Sequence, residues 1–188
     1  MYWILTKIEE NFTELLKRIN FSYHNEEIKT ECIKNHGSFS LLGKKFGPFE
    51  KGKEYAIKYF LAVPFIEKNI LKLSSSEKCD NVDVQRYAIT ERDDQRLVRQ
   101  ETVFFLNKIK QFKRFLEKDI KAGVKPPLDL DKYNSYLISI LDNRMLKLLK
   151  LTKTQLSMDN ERRLTNSENA LFVQISRLIN TWRNFYLV

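Results

Sequence analysis

The spacing of apolar residues divides the chain into an N-terminal part of mixed pattern and a C-terminal part of helical pattern. Residues 4–19 carry apolar positions three or four apart, which predicts an amphipathic helix. Residues 38–46 and 54–60 are strand-like, and the second run alternates Tyr and Ile with other side chains. We also expect short strands at 28–33 and 70–73. The N-terminal part should therefore contain a small sheet.

A turn with a defined backbone separates the two strand-like runs. Residues 47–52 read Gly-Pro-Phe-Glu-Lys-Gly, so two glycines bracket a proline and an aromatic residue. We expect Gly47, Pro48 and Gly52 to shape this turn. Phe49 has two interpretations, a structural residue of the small domain or a contact with a partner protein. A second turn at Gly43 would divide the preceding strand-like run.

The pattern predicts an α+β fold with two domains. A small α/β domain is predicted over 1–73, and it includes a short helix at 61–69. The polar segment 74–82 is predicted as a linker, because its small residues cannot form a core. From about residue 83 apolar positions recur with helical period, so 83–188 is predicted to be a mostly antiparallel α-helical bundle.

Capping patterns predict where the helices of the second domain begin and end. The expected N-terminal signals are Thr90 with Asp93, then Asp129 or Asp131, and finally Thr165 with Glu168. Gly123, followed by two prolines, is expected to end the first long helix. A short helical piece is expected near Thr154.

Composition and charge restrict the class of protein. The chain has 188 residues, and 43% of them are hydrophobic, which is enough for a core. The net charge of +9 is uneven: residues 1–80 hold 13 basic and 11 acidic residues, and residues 81–188 hold 20 and 13. Two cysteines are too few for a disulfide framework, and no run is long enough to span a membrane. We therefore expect a cytoplasmic protein with reduced cysteines and no membrane contact.

A dense basic run lies in the second domain. It comprises Lys108, Lys110, Lys113, Arg114, Lys118, Lys121 and Lys125. One interpretation is a solvated helix face. The other is a weak, sequence-independent contact with phosphates, for which the candidate residues are Lys110, Lys113, Arg114 and Lys121.

The sequence shows little that is typical of catalysis. It contains no glycine-rich phosphate loop. Two carboxylate clusters are expected at helix starts, where negative charge is favourable; they are Glu91, Asp93 and Asp94, and Asp129 and Asp131. The spacing of His24, Cys32, His36 and Cys79 fits no standard zinc motif. We expect no catalytic residue, no cofactor and no metal.

Arg144 is the most informative polar residue of the helical part. It follows Asp142 and Asn143, and it lies seven residues after Leu137 and four before Leu148, on the apolar side of the predicted helix. A buried arginine must be paired with a carboxylate. The candidate partners are Asp142, Glu101 and Glu168, and the sequence does not choose among them. We expect a structural or interface ion pair.

Three stretches together resemble a GINS subunit, a component of the replicative helicase of archaea and eukaryotes. The first is 46–52 with the apolar segment 59–62 after it. The second is 133–151, YNSYLISILDNRMLKLLKL, with an aspartate and an arginine two apart followed by Lys147-Leu148. The third is 164–185, which begins with Leu-Thr and a glutamate and ends with aromatic residues, including Trp182. The resemblance is to the class with the small β-containing domain first, similar to the second and third partner-of-Sld-five subunits of eukaryotes.

The resemblance departs from the family at two points. Residues 4–19 fit the family pattern poorly. The tryptophan usual after the turn is replaced by Phe60 or Tyr59.

The resemblance implies a non-catalytic scaffold that is archaeal and nucleoid-associated. The implied partners are a GINS subunit of opposite domain order in a hetero-tetramer, the MCM helicase and a Cdc45- or RecJ-like protein, with primase as a further candidate. Direct DNA contact would be weak or absent. An alternative from the charge alone is a basic helical nucleic-acid-binding protein such as a transcriptional regulator.

Overall fold

The strands lie in the N-terminal part of the chain and most of the helices follow them, so the predicted α+β fold is confirmed. The computed structural model describes residues 2–41, 43–153 and 156–187. The chain forms two compact units, residues 17–78 (the small unit) and residues 1–16 with 79–188 (the helical unit). The division falls within the first helix, which the sequence placed wholly in the small domain.

The elements follow in a simple order. The first helix, α1 Tyr2–His24, belongs partly to each unit. The small unit then contains β1 Glu27–Cys32, β2 Phe39–Leu41, β3 Lys44–Phe46, β4 Glu54–Lys58, α2 Tyr59–Glu67, β5 Leu71–Leu73 and a 3-10 turn Ser75–Glu77. The helical unit contains α3 Asn81–Asp93, α4 Phe105–Lys121, α5 Leu128–Leu151, α6 Met158–Glu161 and α7 Asn166–Leu187.

The small unit is built on a three-stranded antiparallel sheet of order β4-β1-β5. Its central strand buries Ile28, Thr30 and Cys32, the alternate positions of a strand with one covered face. The strand-like run over 38–46 forms a hairpin, β2 and β3, with Phe39 opposite Phe46, so the second turn predicted at Gly43 is present. Gly43 interrupts it with a φ of +75°, a conformation that glycine adopts without a Cβ clash.

Phe49 is a core residue of the small unit. It is 2% exposed and packs with Cys32 and Leu71. The ring of Tyr55 meets it edge-on at 4.9 Å between centroids, and the Tyr55 hydroxyl donates to the carbonyl of Pro48 at 3.2 Å. Of its two interpretations, the structure therefore supports packing inside the unit. Phe49 is not available to a partner protein.

The turn of residues 47–52 gives a matched pair of glycine substitutions. Gly47 and Gly52 have φ values of +82° and +85°. A Cβ on Gly47 would lie 3.2 Å from the Cα of Ser38, whereas one on Gly52 would meet nothing within 4 Å. We expect Gly52→Ala to cost about 1 kcal/mol of unfolding free energy, and Gly47→Ala about 1 kcal/mol more. Urea titrations measure both losses. Equal losses would contradict a contribution from the contact between the new Cβ and Ser38.

The core of the helical unit lies between α3, α4 and α5. Its buried residues are Cys79, Val84, Ala88, Phe105, Ile109, Leu116, Tyr133 and Ile140. Within it the Tyr133 hydroxyl lies 3.1 Å from the carbonyl oxygen of Cys79 and 3.2 Å from that of Ile109. A second cluster, Leu97, Leu148, Leu164 and Phe172, joins α5 to α7.

The Cys79 thiol makes the helical unit sensitive to alkali. Burial raises the pKa of Cys79 from 9.0 to about 12. The thiol ionises at a lower pH in the unfolded chain than in the folded one. The contribution of the neutral, buried thiol to the free energy of unfolding is therefore fully present below pH 9 and is lost as the pH rises from 9 to 12. We expect the urea midpoint of the wild type to fall more steeply over pH 9–11 than that of Cys79→Ala. Parallel pH profiles would contradict this.

The first long helix was predicted to begin at Thr90 and to end at Gly123, but α3 ends at Asp93 and α4 begins only at Phe105, so residues 94–104 are not helical. Thr90 lies inside α3, where its hydroxyl donates to the carbonyl of Arg86 at 2.9 Å. The N-cap of α3 is Asp80, whose carboxylate accepts from the amide of Val82, and Asp83 completes the capping box. The prediction at Thr90 was wrong because this helix is already capped at Asp80; Thr90 lies inside it and bonds the carbonyl four residues back, as threonines in helices do.

Of the other predicted helix boundaries, the cap at Asp129 or Asp131 was wrong and the end at Gly123 is confirmed. Pro127 occupies the N-cap position of α5, so Asp129 and Asp131 lie in its first turn and do not cap it. Gly123 follows the end of α4 with a φ of +72°, as predicted. The expected helical piece near Thr154 falls on a residue outside the described ranges, and α6 follows at Met158.

The predicted linker 74–82 is partly structured. Ser74 and Cys79 are 4% and 1% exposed. The Ser74 hydroxyl donates to Glu54 at 3.0 Å, which satisfies a polar group that burial would otherwise penalise. Small polar residues here therefore take part in the two units, whose boundary falls between Lys78 and Cys79.

Candidate functional site: a buried ion cluster and an exposed apolar surface

Arg144 is the centre of a buried ion cluster. It is 1% exposed, and all its side-chain N–H groups are used. Nε and Nη2 donate to the two carboxylate oxygens of Glu168 at 2.5 and 2.8 Å, a bidentate pair. Nη1 donates to Glu91 Oε2 at 2.7 Å and to a backbone carbonyl at 2.9 Å, and Nη2 also reaches the carbonyl of Arg163 at 3.0 Å. One side chain thus links α3, α5 and α7.

Glu168 holds α7 and Arg144 together. Its Oε2 accepts from the amide and the hydroxyl of Thr165, each at 2.8 Å, so the predicted capping box is present. The same carboxylate accepts from Arg144. The start of α7 is therefore fixed by a side chain that is itself fixed to α5.

Glu91 and Lys147 complete the cluster. The ammonium of Lys147 donates to Glu91 Oε1 at 2.6 Å, to the Glu91 carbonyl, and to the carbonyl of Arg96 at 2.9 Å. Two cations and two carboxylates therefore meet, and the charges balance. Glu91, Arg144, Lys147 and Glu168 are called the ion cluster below.

The electrostatics of the cluster favour its charged state. Burial alone would lower the pKa of Arg144, but the hydrogen bonds and negative charges of Glu168 and Glu91 outweigh it and raise that pKa. The charges are paired within the unit and largely removed from solvent, with Lys147 12% exposed. The geometry therefore suits the fixing of three helices more than the binding of a ligand.

The sequence identified part of this cluster. Of the three predicted partners of Arg144, only Glu168 is one; Asp142 is exposed, and Glu101 accepts from the Tyr87 hydroxyl at 3.1 Å. Glu91 was missed because its neighbours Asp93 and Asp94 suggested a helix start, whereas it lies in the last turn of α3. Its signal was its spacing from the apolar Val84 and Ala88, which places it on the buried side.

The exposed side of α5 is apolar. Six of its large hydrophobic residues are exposed. One is Leu128 at the start of the helix, and the other five, Ile138, Leu141, Met145, Leu146 and Leu149, are called the α5 face. The buried residues Tyr133, Ile140 and Leu148 occupy the adjacent side of the same helix. Apolar residues therefore extend round more of the helix than the unit's own core covers, which is typical of a helix with a second packing surface.

The apolar face of α7 continues past the core that buries it. Glu168, Phe172, Ile175, Ile179, Trp182 and Tyr186 recur at alternating spacings of four and three residues. Glu168 and Phe172 are 4% and 8% exposed, whereas Trp182 and Tyr186 are 64% and 70% exposed. Residues 181–187, called the α7 end, are all exposed. A heptad-spaced face is thus covered where the helix starts and uncovered where it ends.

Rings at the α7 end contact one another. Trp182 and Tyr186 have their ring centroids 5.4 Å apart, and Phe185 lies 5.1 Å from Tyr186. Exposed aromatic residues of this density are typical of the centre of a protein interface. Trp182, predicted as a structural or interface residue, therefore lies on a surface and contributes nothing to the buried core.

Comparison with known proteins adds no relative. No family model matches the chain, and no curated protein matches it. Within the described ranges, no group of three or more His, Cys, Asp or Glu residues could hold a metal ion. In the same ranges no helix is sufficiently long and apolar to cross a membrane. The protein's own surfaces are therefore the basis for a functional proposal.

Proposed function

We propose that the protein is a non-catalytic scaffold subunit of a GINS complex, of the class with the small β-containing domain first. It assembles with GINS subunits of opposite domain order into a hetero-tetramer that links the MCM helicase to a RecJ-like partner in chromosome replication. The ordered resemblance at 46–62, 133–151 and 164–185 motivates the family. The uncovered heptad face of α7 carries the scaffold role.

The α7 face supports a helical partner. Its spacing is that of a helix that packs against another helix by inserting side chains between those of its neighbour. Trp182 and Tyr186 continue the face of the buried Phe172 but have no cover within the described part of the chain. The α5 face offers further apolar area in the same unit. A helix of a sister subunit is the occupant that this geometry fits best.

Light scattering with size-exclusion chromatography tests the proposal. The chain, of 22.5 kDa, is measured alone and after mixing with a GINS subunit of opposite domain order. We expect the mixture to elute as one species with the mass of an assembly that contains both chains. A chain that keeps its own mass in the mixture, and also captures no replication protein from extract of its native cell, would overturn the proposal.

A further inference from the structure

The exposed side of α4 carries a row of cations that the scaffold role does not use. Lys110, Arg114 and Lys121 are exposed and lie four and seven residues apart, on one side of the helix. These three residues are called the α4 stripe. Lys118, also exposed, lies on the same side between two of them. At about 1.5 Å per residue, the stripe is about 16 Å long.

The cations of the stripe are not neutralised within the unit. Among the described residues, none forms an ion pair with Lys110, Arg114 or Lys121. The acidic residues of α4 are directed to other cations: Glu117 lies 3.9 Å from Lys113, and Asp119 lies 3.7 Å from Lys125. Of the residues predicted to contact phosphate, Lys113 is therefore partly compensated, and the other three remain as an open positive row.

The surface around the stripe indicates the class of partner. No large hydrophobic residue is exposed on α4, all of which lies in the described ranges, whereas α5 and α7 expose many. Protein interfaces have an apolar core, which this surface lacks. Interfaces with nucleic acid are more polar and strongly positive. The flanking side chains include no exposed aromatic ring on which a base could stack.

We propose that the α4 stripe binds the phosphate backbone of nucleic acid without reading its sequence. Duplex DNA carries one charge per about 1.7 Å of axis, so a row of about 16 Å faces more phosphates than it has cations. Each of the three side chains can then contact a phosphate whatever the register. Because such contacts release condensed counterions, the affinity depends on salt. This role is separate from assembly with sister subunits.

Fluorescence anisotropy with a labelled 20-base-pair duplex and with one of its strands tests the proposal. The variant Lys110→Gln/Arg114→Gln/Lys121→Gln is compared with Lys44→Gln/Lys45→Gln/Lys51→Gln, which loses the same charge from exposed positions of the small unit. We expect log K against log salt to become less steep by about 3 in the stripe variant, at about 0.9 per phosphate on the duplex. Between 50 and 200 mM salt, the factor by which the affinity of the wild type falls should be about 40 times larger than the factor for this variant.

The affinities of the two variants can support or overturn the proposed binding of nucleic acid by the α4 stripe. A loss confined to the stripe variant, on duplex or single strand, supports the proposal, and the form bound more tightly identifies the preferred nucleic acid. Equal losses in the two variants would overturn it, because they would reflect net charge alone. Absence of binding by the wild type at 50 mM salt would also overturn it. An oligoglutamate of equal charge that bound as tightly, and lost affinity in the same variant, would assign the stripe to an acidic protein instead.

Discussion

Arg144→Ala is expected to lower the free energy of unfolding by about 3–5 kcal/mol. The substitution removes five hydrogen bonds and leaves the carboxylates of Glu91 and Glu168 buried with only Lys147 to balance them. Since small domains are stable by about 5–15 kcal/mol in total, much of the helical unit's stability would be lost. Urea unfolding followed by circular dichroism measures the loss. Arg162→Ala, an exposed arginine of the same unit, is the control and should change stability by less than about 0.5 kcal/mol.

A double variant separates the unpaired charge from lost packing. Arg144→Met keeps most of the side-chain volume but leaves Glu168 without its cation. Adding Glu168→Gln removes that charge and leaves Glu91 paired with Lys147, while the Gln oxygen can still accept from Thr165. We expect the double variant to be more stable than Arg144→Met alone. A double variant of equal or lower stability would show that the charge balance of the cluster is not what Arg144 contributes.

The sequence predicted elements better than it predicted the contacts between them. Period-two alternation located β4, and helical spacing located α5 and α7, because those patterns follow directly from which face is buried. Glu168 was found as a partner of Arg144 because its capping box also positions it at a helix start. The spacing of Glu91 from Val84 and Ala88 places it on the buried side of a helix, but its pairing with Arg144 across 53 residues depends on how α3 packs on α5, which no local pattern records.

The start of α3 shows how two local signals compete. Asp80 with Asp83 and Thr90 with Asp93 both match a capping pattern. The first pair caps the helix, and the second lies within it. The buried spacing of Val84, Ala88 and Glu91 distinguishes them, since it requires a helix that begins before residue 84. For the surfaces of α5 and α7 the sequence alone was not sufficient. It shows that these helices carry many apolar residues, but only the packed unit shows which of those residues stay exposed.

Trp182→Ala/Tyr186→Ala is expected to weaken assembly with a sister subunit strongly while leaving the chain folded. Both side chains are mostly exposed, so their removal should change the stability of the unit by less than about 0.5 kcal/mol. In the complex they would lie in the centre of a helix–helix contact, where an aromatic residue contributes about 2 kcal/mol or more. Two such losses weaken binding by about a thousandfold. Isothermal titration with the GINS partner, with circular dichroism of the free variant, measures both effects.

Phe21→Ala is the matched control for this variant. Phe21 is an aromatic residue of α1 that is 72% exposed, close to the exposure of Tyr186, but it belongs to the small unit and lies on no heptad-spaced face. We expect Phe21→Ala to assemble like the wild type. If both variants bind the partner normally, the α7 end is not the contact surface, and the α5 face becomes the next to test with Met145→Ala. If the two variants lose affinity equally, general surface hydrophobicity drives the association, because a specific helix contact would distinguish the α7 end from α1.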